Sequence, residues 1–330
     1  MDIPNDYNCS WIPYIFRGRI MDKVSIIIPC REIDLMAERC IRECLKLDYR
    51  NFEILVLPDK KSRNRFGKKV KIIPIKGKPA VKRNLAMKKS KGEFYAFIDS
   101  DAYPRKDWLK NALRYFQDSK IGIVGGPNIT PKEAGFWEKI SGYVLANFLA
   151  TLFSNIRYRV ARNRYVRELP SCNYIARKKS SCEYSQEYLT AEDSEFCFNC
   201  IKKGFKVLYA GDVVVYHHRR NTFKGHIKQM FVYGRDIAWL TKEDFSWDKL
   251  YYVLHSLGLL VFVLGLLLSL FSNFIRIIFL YIVLLYLGVM FLVSIKDNLK
   301  ITFASFISLI STHFSYGFGW LYGLLSRKKV

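Results

Sequence analysis

Short runs of β-branched and aromatic residues alternate with segments of helical spacing through the first third of the chain. Continuous apolar runs closed by turn residues predict buried strands, and apolar residues at helical spacing predict helices. The predicted strands are Val24–Pro29, Phe52–Leu57, Val70–Ile75 and Phe94–Ile98. The predicted helices are Leu35–Leu47 and Ala80–Lys89. Strands that alternate with helices in this way predict a doubly wound, Rossmann-like α/β sheet.

The pattern continues beyond this region with longer and less regular segments. Apolar side chains of Phe136–Ile156 fall on one helical face, which is typical of a core helix or of an interfacial helix near a lipid acceptor. The basic segment Asn163–Arg167 predicts a mobile loop. Further predicted elements are strands at Gly122–Pro127, Leu169–Arg177 and Val207–His217, and a helix at Glu192–Lys203.

Three stretches near the C-terminus contain no Asp, Glu, Lys or Arg: Tyr251–Ile275, Ile277–Ile295 and Ile301–Ser326. A helix of ~20 apolar residues crosses the hydrocarbon core of a bilayer, so each stretch is long enough to span a membrane. Ser, Thr, Gly and His313 dilute the third stretch, which either spans, lies at the interface or is sheltered against the other helices. The predicted organisation is an N-terminal segment (1–21), an α/β domain (22–245) and a membrane domain with two to three transmembrane helices (246–330).

The formal charge of +24 is distributed unevenly, because the three apolar stretches carry none of it. A strongly basic domain beside a membrane can bind anionic headgroups or a diphosphate-bearing substrate. The positive-inside rule places such a domain on the cytoplasmic side. Together with the apolar stretches, this predicts an integral protein of the cell membrane. The sequence contains no helix-turn-helix, RNP-like or paired-cysteine finger pattern, so nucleic acid is not an expected partner.

Neither the N-terminus nor the cysteines predict a secreted protein. Met1–Ile20 mixes charged residues with only a short apolar stretch, and Trp11–Phe16 either rests on the membrane surface or packs on the α/β domain. The eight cysteines are scattered through apolar segments, which is typical of buried, reduced thiols. Cys197 and Cys200 have metal-ligand spacing, but no second pair completes a zinc site.

Polar residues follow three of the predicted strands at the point where each strand ends. They are Arg31 and Glu32 after the first strand, Asp59 after the second, and Asp99 with Asp101 after the fourth. Ligands of doubly wound sheets gather outside the carboxyl ends of the strands, so these side chains are expected to share one site. Alternate residues of an extended chain point the same way, so Asp99 and Asp101 can address one cation. Their hard oxygen ligands suit Mg²⁺ or Mn²⁺ bridging a donor diphosphate.

Two further groups of polar residues carry candidate chemistry. Glu192 and Asp193 open a predicted helix, where acidic residues commonly serve as caps. The alternative is a carboxylate that acts as general base for an acceptor hydroxyl. Tyr216–Arg220 ends a predicted strand with two histidines and two arginines. This segment is either a solvated basic turn or a diphosphate clamp with a histidine available to the metal.

The set, order and spacing of these motifs resemble the family 2 glycosyltransferases of GT-A fold over about residues 22–240. The segments that carry the resemblance, in chain order, are VSIIIPCRE, VLPD, PAVKRNLAM, FIDSDAYP, VGGP, LPSCNYIARK, AEDSEF and VYHHRR. The resemblance implies a metal-dependent enzyme with a nucleotide-sugar donor. It also implies that the α/β domain is a GT-A catalytic domain, followed here by transmembrane helices.

The resemblance implies a role for individual residues of this sequence. Asp193 matches the catalytic base, and Asp101 matches the principal metal ligand. Asp99 is a second metal ligand and a histidine is the third; of the two candidates His217 and His218, we select His218. The residues assigned to acceptor binding or to shaping the site are Glu192, Gln229 and Arg235. The implied donor-binding residues are Pro29, Arg31, Glu32, Asp59, Lys82, Arg83, Asn84, Asp99, Arg219 and Arg220.

One departure from the family pattern bears on the reaction. Processive members carry a QxxRW signature before the membrane helices, whereas this region is KQMFVYGRD, with Gln229 and Arg235 but no Trp after an Arg. The resemblance and this departure together imply inverting transfer of a single sugar from a UDP- or GDP-sugar to a lipid-linked or glycan acceptor, in the synthesis of a cell-surface glycan or glycoconjugate. The alternatives are a membrane nucleotidyl- or phosphosugar transferase and an inactive glycosyltransferase-like scaffold.

Overall fold

The computed structural model describes residues 22–326, apart from residues 64, 244 and 246. Segment 1–21, with the apolar stretch Trp11–Phe16, lies outside the described residues, as does the basic tail 327–330. The strands are β1 (Val24–Pro29), β2 (Phe52–Leu57), β3 (Val70–Ile72), β4 (Phe94–Phe97), β5 (Ala102–Pro104), β6 (Ile121–Gly125), β7 (Asn128–Ile129), β8 (Arg164–Val166), β9 (Tyr174–Arg177), β10 (Lys206–Tyr209) and β11 (Val215–His217).

Ten α-helices and three 3₁₀-helices accompany these strands in the described part of the chain. The α-helices are α1 (Leu35–Leu45), α2 (Pro79–Lys89), α3 (Trp108–Tyr115), α4 (Phe136–Ala146), α5 (Phe148–Thr151), α6 (Glu192–Lys202), α7 (Phe223–Glu243), α8 (Leu254–Leu268), α9 (Asn273–Ser294) and α10 (Leu299–Leu325). The 3₁₀-helices are Leu152–Tyr158, Lys178–Ser180 and Trp247–Val253.

Eight strands form one mixed sheet in the order β3-β2-β1-β4-β9-β6-β10-β8. β1 runs parallel to both β2 and β4, and β9 is antiparallel to both of its neighbours. The central strands are buried on both faces, which explains their continuous apolar sequences. Along β1, Ile26 and Ile28 pack with α1 and α3, whereas Ile27 packs with α2 and α6. The predicted α/β class is confirmed.

A second, three-stranded sheet has the order β5-β11-β7. The prediction of one strand over Val207–His217 is wrong, because β10 joins the large sheet and β11 joins the small one. Between them the chain packs so tightly that a Cβ on Gly211 would lie 2.1 Å from the carbonyl oxygen of Ala161. Gly211 and Asp212 interrupt the apolar run at this bend, which is a turn signal that the sequence prediction did not use.

Two other predicted segments are shorter or more broken than expected. The strand over Leu169–Arg177 forms only at β9, because a turn in which the Asn173 amide donates to Pro170 precedes it. Phe136–Ile156 is divided into α4, α5 and the 3₁₀-helix Leu152–Tyr158, and Asn147 both ends α4 and caps α5. Asn163–Arg167, predicted as a loop, contains β8.

Two helical segments of the described chain, Leu250–Leu268 and Asn273–Ser294, are long and apolar enough to cross a membrane. A core helix of a soluble protein is mostly buried, whereas only 17% and 11% of the apolar windows of these segments are buried. α10 differs, because it is more polar and packs along α7. Gly319 of α10 lies against the backbone of Phe231, and Ser315 donates to the carbonyl oxygen of Ile227. The polar residues that dilute the third apolar stretch are thus largely sheltered inside the helix bundle.

Candidate active site

The carboxyl ends of β1 and β2 form a polar pocket at the edge of the large sheet. Pro29 is the buried last residue of β1, and Arg31 and Glu32 beyond it are exposed. The Asp59 amide donates to the carbonyl oxygen of Arg31 over 2.9 Å, which ties the two strand ends together. Lys82 of α2 places its Nζ 2.5 Å from Asp59 Oδ1, and this hydrogen bond lowers the pKa of Asp59. The pocket therefore presents an ionised carboxylate at its base.

Arg83, the next residue of α2, bridges Asp99, which follows β4, and Glu192, which begins α6. Its guanidinium donates to Asp99 Oδ1 over 2.8 Å and to Glu192 Oε1 over 3.0 Å. Burial by itself lowers the pKa of Arg83, but Asp99 and Glu192 outweigh it and raise the pKa above the usual range. Asn84 is bound on both sides of its amide to the backbone of Tyr184. The side chains of Arg83 and Asn84 thus bind other protein groups and do not face the polar residues at the ends of β1 and β2.

Asp101 and the β5–β11 ladder form the second half of the site. Asp101 Oδ1 lies 3.1 Å from His217 Nε2, and Arg219 Nη1 lies 3.0 Å from His217 Nδ1. Arg219 also donates to Asn128 Oδ1 over 2.6 Å, so its guanidinium holds the imidazole against β7. Burial alone raises the pKa of Asp101, but His217 and the exposed Arg220 outweigh it and lower the pKa to about 2. The carboxylate is ionised at neutral pH.

The structure separates the two adjacent histidines. His217 faces Asp101, whereas His218 directs its Nδ1 to Glu138 Oε1 over 2.9 Å. The ladder explains the difference, because successive side chains of a strand point to opposite faces. We therefore transfer the metal-ligand assignment from His218 to His217.

A carboxylate, a thiol and an imidazole meet at the same place. Ligand atoms of Asp99, Cys172 and His217 all lie within 4.8 Å of one another, and Asp101 adjoins His217. Carboxylate oxygens suit Mg²⁺ or Mn²⁺, and imidazole nitrogen is a ligand of later divalent metals. The donor set thus fits a divalent cation. The sequence interpretation did not include Cys172 in the site, because Cys172 lies within the strand predicted over Leu169–Arg177 and matches the pattern of buried, reduced thiols.

Asp193 lies in the first turn of α6, beside this cluster. Its Oδ2 accepts from the Ser171 amide over 3.2 Å, and its Oδ1 accepts from the Ser194 amide over 2.8 Å. Burial raises the pKa of Asp193 to about 6, against the opposing charge of Arg157. A carboxylate whose pKa lies near neutrality matches the requirement for a general base.

Glu192 occupies a drier position next to Asp193. Burial and the charge of Asp193 raise the pKa of Glu192 to about 8, although Arg83 opposes them. Glu192 Oε2 is buried without a hydrogen-bond partner among the described residues. Glu192 thus lies in contact with Arg83 rather than at the open side of the site.

α7 supports the segment that leads into α6. Arg235 pairs with Asp236 over 2.7 Å, and Asp236 accepts hydrogen bonds from the Thr190 amide and hydroxyl. Arg235 therefore shapes the site through Asp236, a residue that the sequence interpretation missed. Gln229 donates to the hydroxyl of Tyr233 on its own helix.

A cavity of about 230 Å³ opens beside Asp101 on the side of α1. Its lining residues are Leu35, Met36, Arg39, Asp101, Ala102, Tyr103 and His218. Leu35 is 86% exposed there, so the site is open to an incoming molecule on this side.

Comparisons with known proteins agree with this geometry. The sequence model of a family described as "Glycosyltransferase like family 2" matches residues 22–233. The dolichyl N-acetyl-alpha-D-glucosaminyl phosphate 3-beta-D-2,3-diacetamido-2,3-dideoxy-beta-D-glucuronosyltransferase of Methanococcus voltae is 26% identical over 76% of this chain and 87% of that protein. A pre-mycofactocin glycosyltransferase of Mycobacterium tuberculosis is 25% identical, over 48% of this chain and 34% of its own length.

A solved structure extends the agreement to the fold. The mannosyltransferase from Pyrobaculum calidifontis, in complex with GDP-Man and Mn²⁺, superposes with a TM-score of 0.56. The match covers 93% of this chain and 88% of that chain, at 15% sequence identity. The likeness shows that the α/β part has the GT-A fold.

Proposed function

Because this chain belongs to glycosyltransferase-like family 2 and is a glycosyltransferase, we propose that it transfers a single sugar, with inversion, from a UDP- or GDP-sugar to a lipid-linked acceptor at a membrane. One observation carries the proposal. An acidic cluster fit for a divalent cation, centred on Asp101 and His217, lies at the same sheet edge as Asp193, whose pKa is raised to about 6.

The pocket of Asp59, Arg31 and Glu32 is the proposed nucleotide site. Asp101, Asp99 and His217 would hold Mg²⁺ or Mn²⁺, which when bound neutralises charge on the leaving diphosphate. The Mn²⁺ and GDP-Man bound by the solved mannosyltransferase support this assignment. Arg220 is exposed and electrostatically coupled to Asp101, which suits a direct diphosphate contact. Arg219 instead positions His217.

The proposed reaction is one displacement at the anomeric carbon. Asp193 accepts the proton of the acceptor hydroxyl as the oxygen attacks, and the nucleoside diphosphate leaves from the opposite face of the sugar. A single displacement of this kind inverts the anomeric configuration. The absence of the processive QxxRW sequence supports transfer of one sugar at a time.

The nature of the released nucleotide tests the proposal. Detergent-purified protein, given a panel of nucleotide sugars with Mn²⁺ and a membrane-lipid extract, should release a nucleoside diphosphate from one donor. Asp101→Asn should bind Mn²⁺ about 10–100-fold more weakly and lose the stimulation by the ion. Nucleoside monophosphate or pyrophosphate as product would instead identify a phosphosugar or nucleotidyl transferase. No donor binding across the panel would favour the inactive scaffold.

The helix bundle supports both membrane insertion and a lipid-linked acceptor. A cavity of about 470 Å³ lies between α8, α9 and α10, and its lining is apolar except near His255, Tyr286 and His313. His313 Nε2 lies 2.8 Å from the carbonyl oxygen of Leu149, so this polar end adjoins α5. The following 3₁₀-helix leads to Tyr158, whose ring centroid lies 5.0 Å from Arg219 Cζ. The chain segment that begins at the wall of the cavity thus reaches Arg219, and we assign the cavity to the isoprenoid tail of the acceptor.

Two glycines allow a matched test of this assignment. A Cβ added to Gly258 or to Gly288 meets no atom within 4 Å, but only Gly258 lines the cavity. Gly258→Phe should raise the KM for the lipid-linked acceptor about tenfold, which corresponds to about two methylene groups excluded from apolar surroundings. Gly288→Phe should leave it unchanged, and neither variant should alter donor binding. Equal effects of the two substitutions on acceptor KM would contradict the assignment.

A further inference from the structure

The fold brings Cys172 close to Asp99 at the end of a strand pair. In the antiparallel pair of β4 and β9, Phe97 is opposite Tyr174. Asp99 follows the end of β4 by two residues, and Cys172 lies in the turn two residues before β9, so both lie at the same end of this strand pair. β11 of the small sheet delivers His217 to the same point. Three separate parts of the chain therefore converge on one position at the edge of the large sheet.

The side chains meet at distances suited to a shared ligand. Oxygen of Asp99, sulfur of Cys172 and nitrogen of His217 lie within 4.8 Å of one another. The Cys172 side chain is buried, with 4% of the residue exposed. It is therefore directed at the carboxylate and imidazole rather than at solvent.

Other thiols in the described part of the chain have different surroundings. Cys40, Cys182 and Cys197 each lie near a backbone carbonyl oxygen, of Asp99, Phe196 and Leu169 respectively. A thiol that packs in a core and donates to a carbonyl has a structural role. Cys172 instead faces two groups that are themselves metal-binding, which a purely structural thiol does not require.

We propose that the sulfur of Cys172 is a ligand of the divalent cation in this site and biases the site away from Mg²⁺ towards more thiophilic ions such as Co²⁺ and Zn²⁺. This inference rests on the proposed ion site of the transferase. The thiolate form is the metal ligand, so the S–H proton passes to solvent as the sulfur electron pair binds the ion, without change of oxidation state. Sulfur ligands favour later divalent metals, whereas oxygen ligands alone suit Mg²⁺.

Cobalt binding gives a direct readout that does not depend on sugar transfer. The full-length protein, purified in detergent and freed of metal, is titrated with CoCl₂ while its absorption spectrum is recorded. The wild-type protein should show both visible ligand-field bands and a sulfur-to-cobalt charge-transfer band in the near ultraviolet. Cys172→Ser should lose the charge-transfer band and bind Co²⁺ at least about tenfold more weakly, since even outer-shell changes cost about 10–100-fold. Its affinity for Mg²⁺, measured by competition, should change much less.

Cys182→Ser is the matched control, because Cys182 is a half-buried thiol outside the cluster. It should retain both the ligand-field and the charge-transfer bands. Ligand-field bands without a charge-transfer band in the wild-type protein would overturn the role of Cys172 and leave the ion site intact. No cobalt binding at all would overturn the ion site itself, and with it this part of the proposed function. The wild-type titration decides between these outcomes even if Cys172→Ser folds poorly.

Discussion

Asp193→Asn should lower the kcat of sugar transfer by at least about 10²–10⁴-fold, the usual contribution of general base catalysis, while donor binding is retained. The amide has nearly the same shape as the carboxylate and keeps an oxygen for the Ser171 or Ser194 amide, but it cannot accept the acceptor proton. Initial rates at saturating donor and acceptor measure the first effect. Calorimetric titration with the donor measures the second.

The pH dependence separates a base from a merely structural residue. Because Asp193 has a pKa of about 6, the wild-type kcat/KM should fall about tenfold per pH unit below that value as the carboxylate becomes protonated. Asp193→Asn should lack this limb. A limb near pH 8 would identify Glu192, whose pKa is about 8, as the titrating group. Normal turnover by Asp193→Asn would remove Asp193 from the role.

Arg83→Met should destabilise the protein by about 3–5 kcal/mol, because it leaves Asp99 and Glu192 without the cation between them. Only 3% of the Arg83 side chain is exposed, so water cannot take its place freely. Urea unfolding of the detergent-solubilised protein measures the free energy of unfolding. Arg42→Met is the control, since its ion pair with Glu38 is on the surface and should be worth less than about 1 kcal/mol.

A substitution of Glu192, which pairs with Arg83, tests why Arg83→Met lowers the stability of the protein. Glu192→Gln removes one of the two carboxyl groups that Arg83 contacts, so the double variant Arg83→Met, Glu192→Gln should be more stable than Arg83→Met alone. If the double variant is no more stable than Arg83→Met, the unpaired carboxyl groups are not the source of the effect. The donor-binding role that the family resemblance implies for Arg83 is then favoured. If Arg83→Met is as stable as Arg42→Met but binds the donor poorly, Arg83 contacts the nucleotide directly.

Local sequence patterns were sufficient for the central strands and for the residues at their ends. β1 and β2 have the predicted bounds, and β4 differs by one residue, because a strand buried on both faces is apolar throughout. Asp59 and Asp99 follow β2 and β4, and parallel strands bring such ends to one edge. Polar residues at strand ends are therefore informative without any knowledge of long-range contacts.

Predictions were less successful where the backbone turns inside an apolar segment. Only Gly211 and Asp212 interrupt the apolar run between β10 and β11, because the residues on either side of the bend are buried. α10 shows the converse, since its Ser and Thr residues weaken the hydrophobic pattern but are buried against α7, where Thr312 lies 2.9 Å from His226. Hydropathy alone therefore does not reveal that a helix is buried when its polar groups are paired inside a bundle.

The sequence by itself determined the fold class and the apolar C-terminal helices, and it singled out Asp99, Asp101 and Asp193 as candidate site residues. Only the tertiary structure decided that His217 rather than His218 faces Asp101, and that Cys172 lies beside Asp99. For Cys172 the physical reason is the long-range packing that brings the turn before β9 beside Asp99, and for the histidines it is strand register. A shift of one residue turns a side chain to the other face of a sheet, and register depends on pairing between segments far apart in the chain.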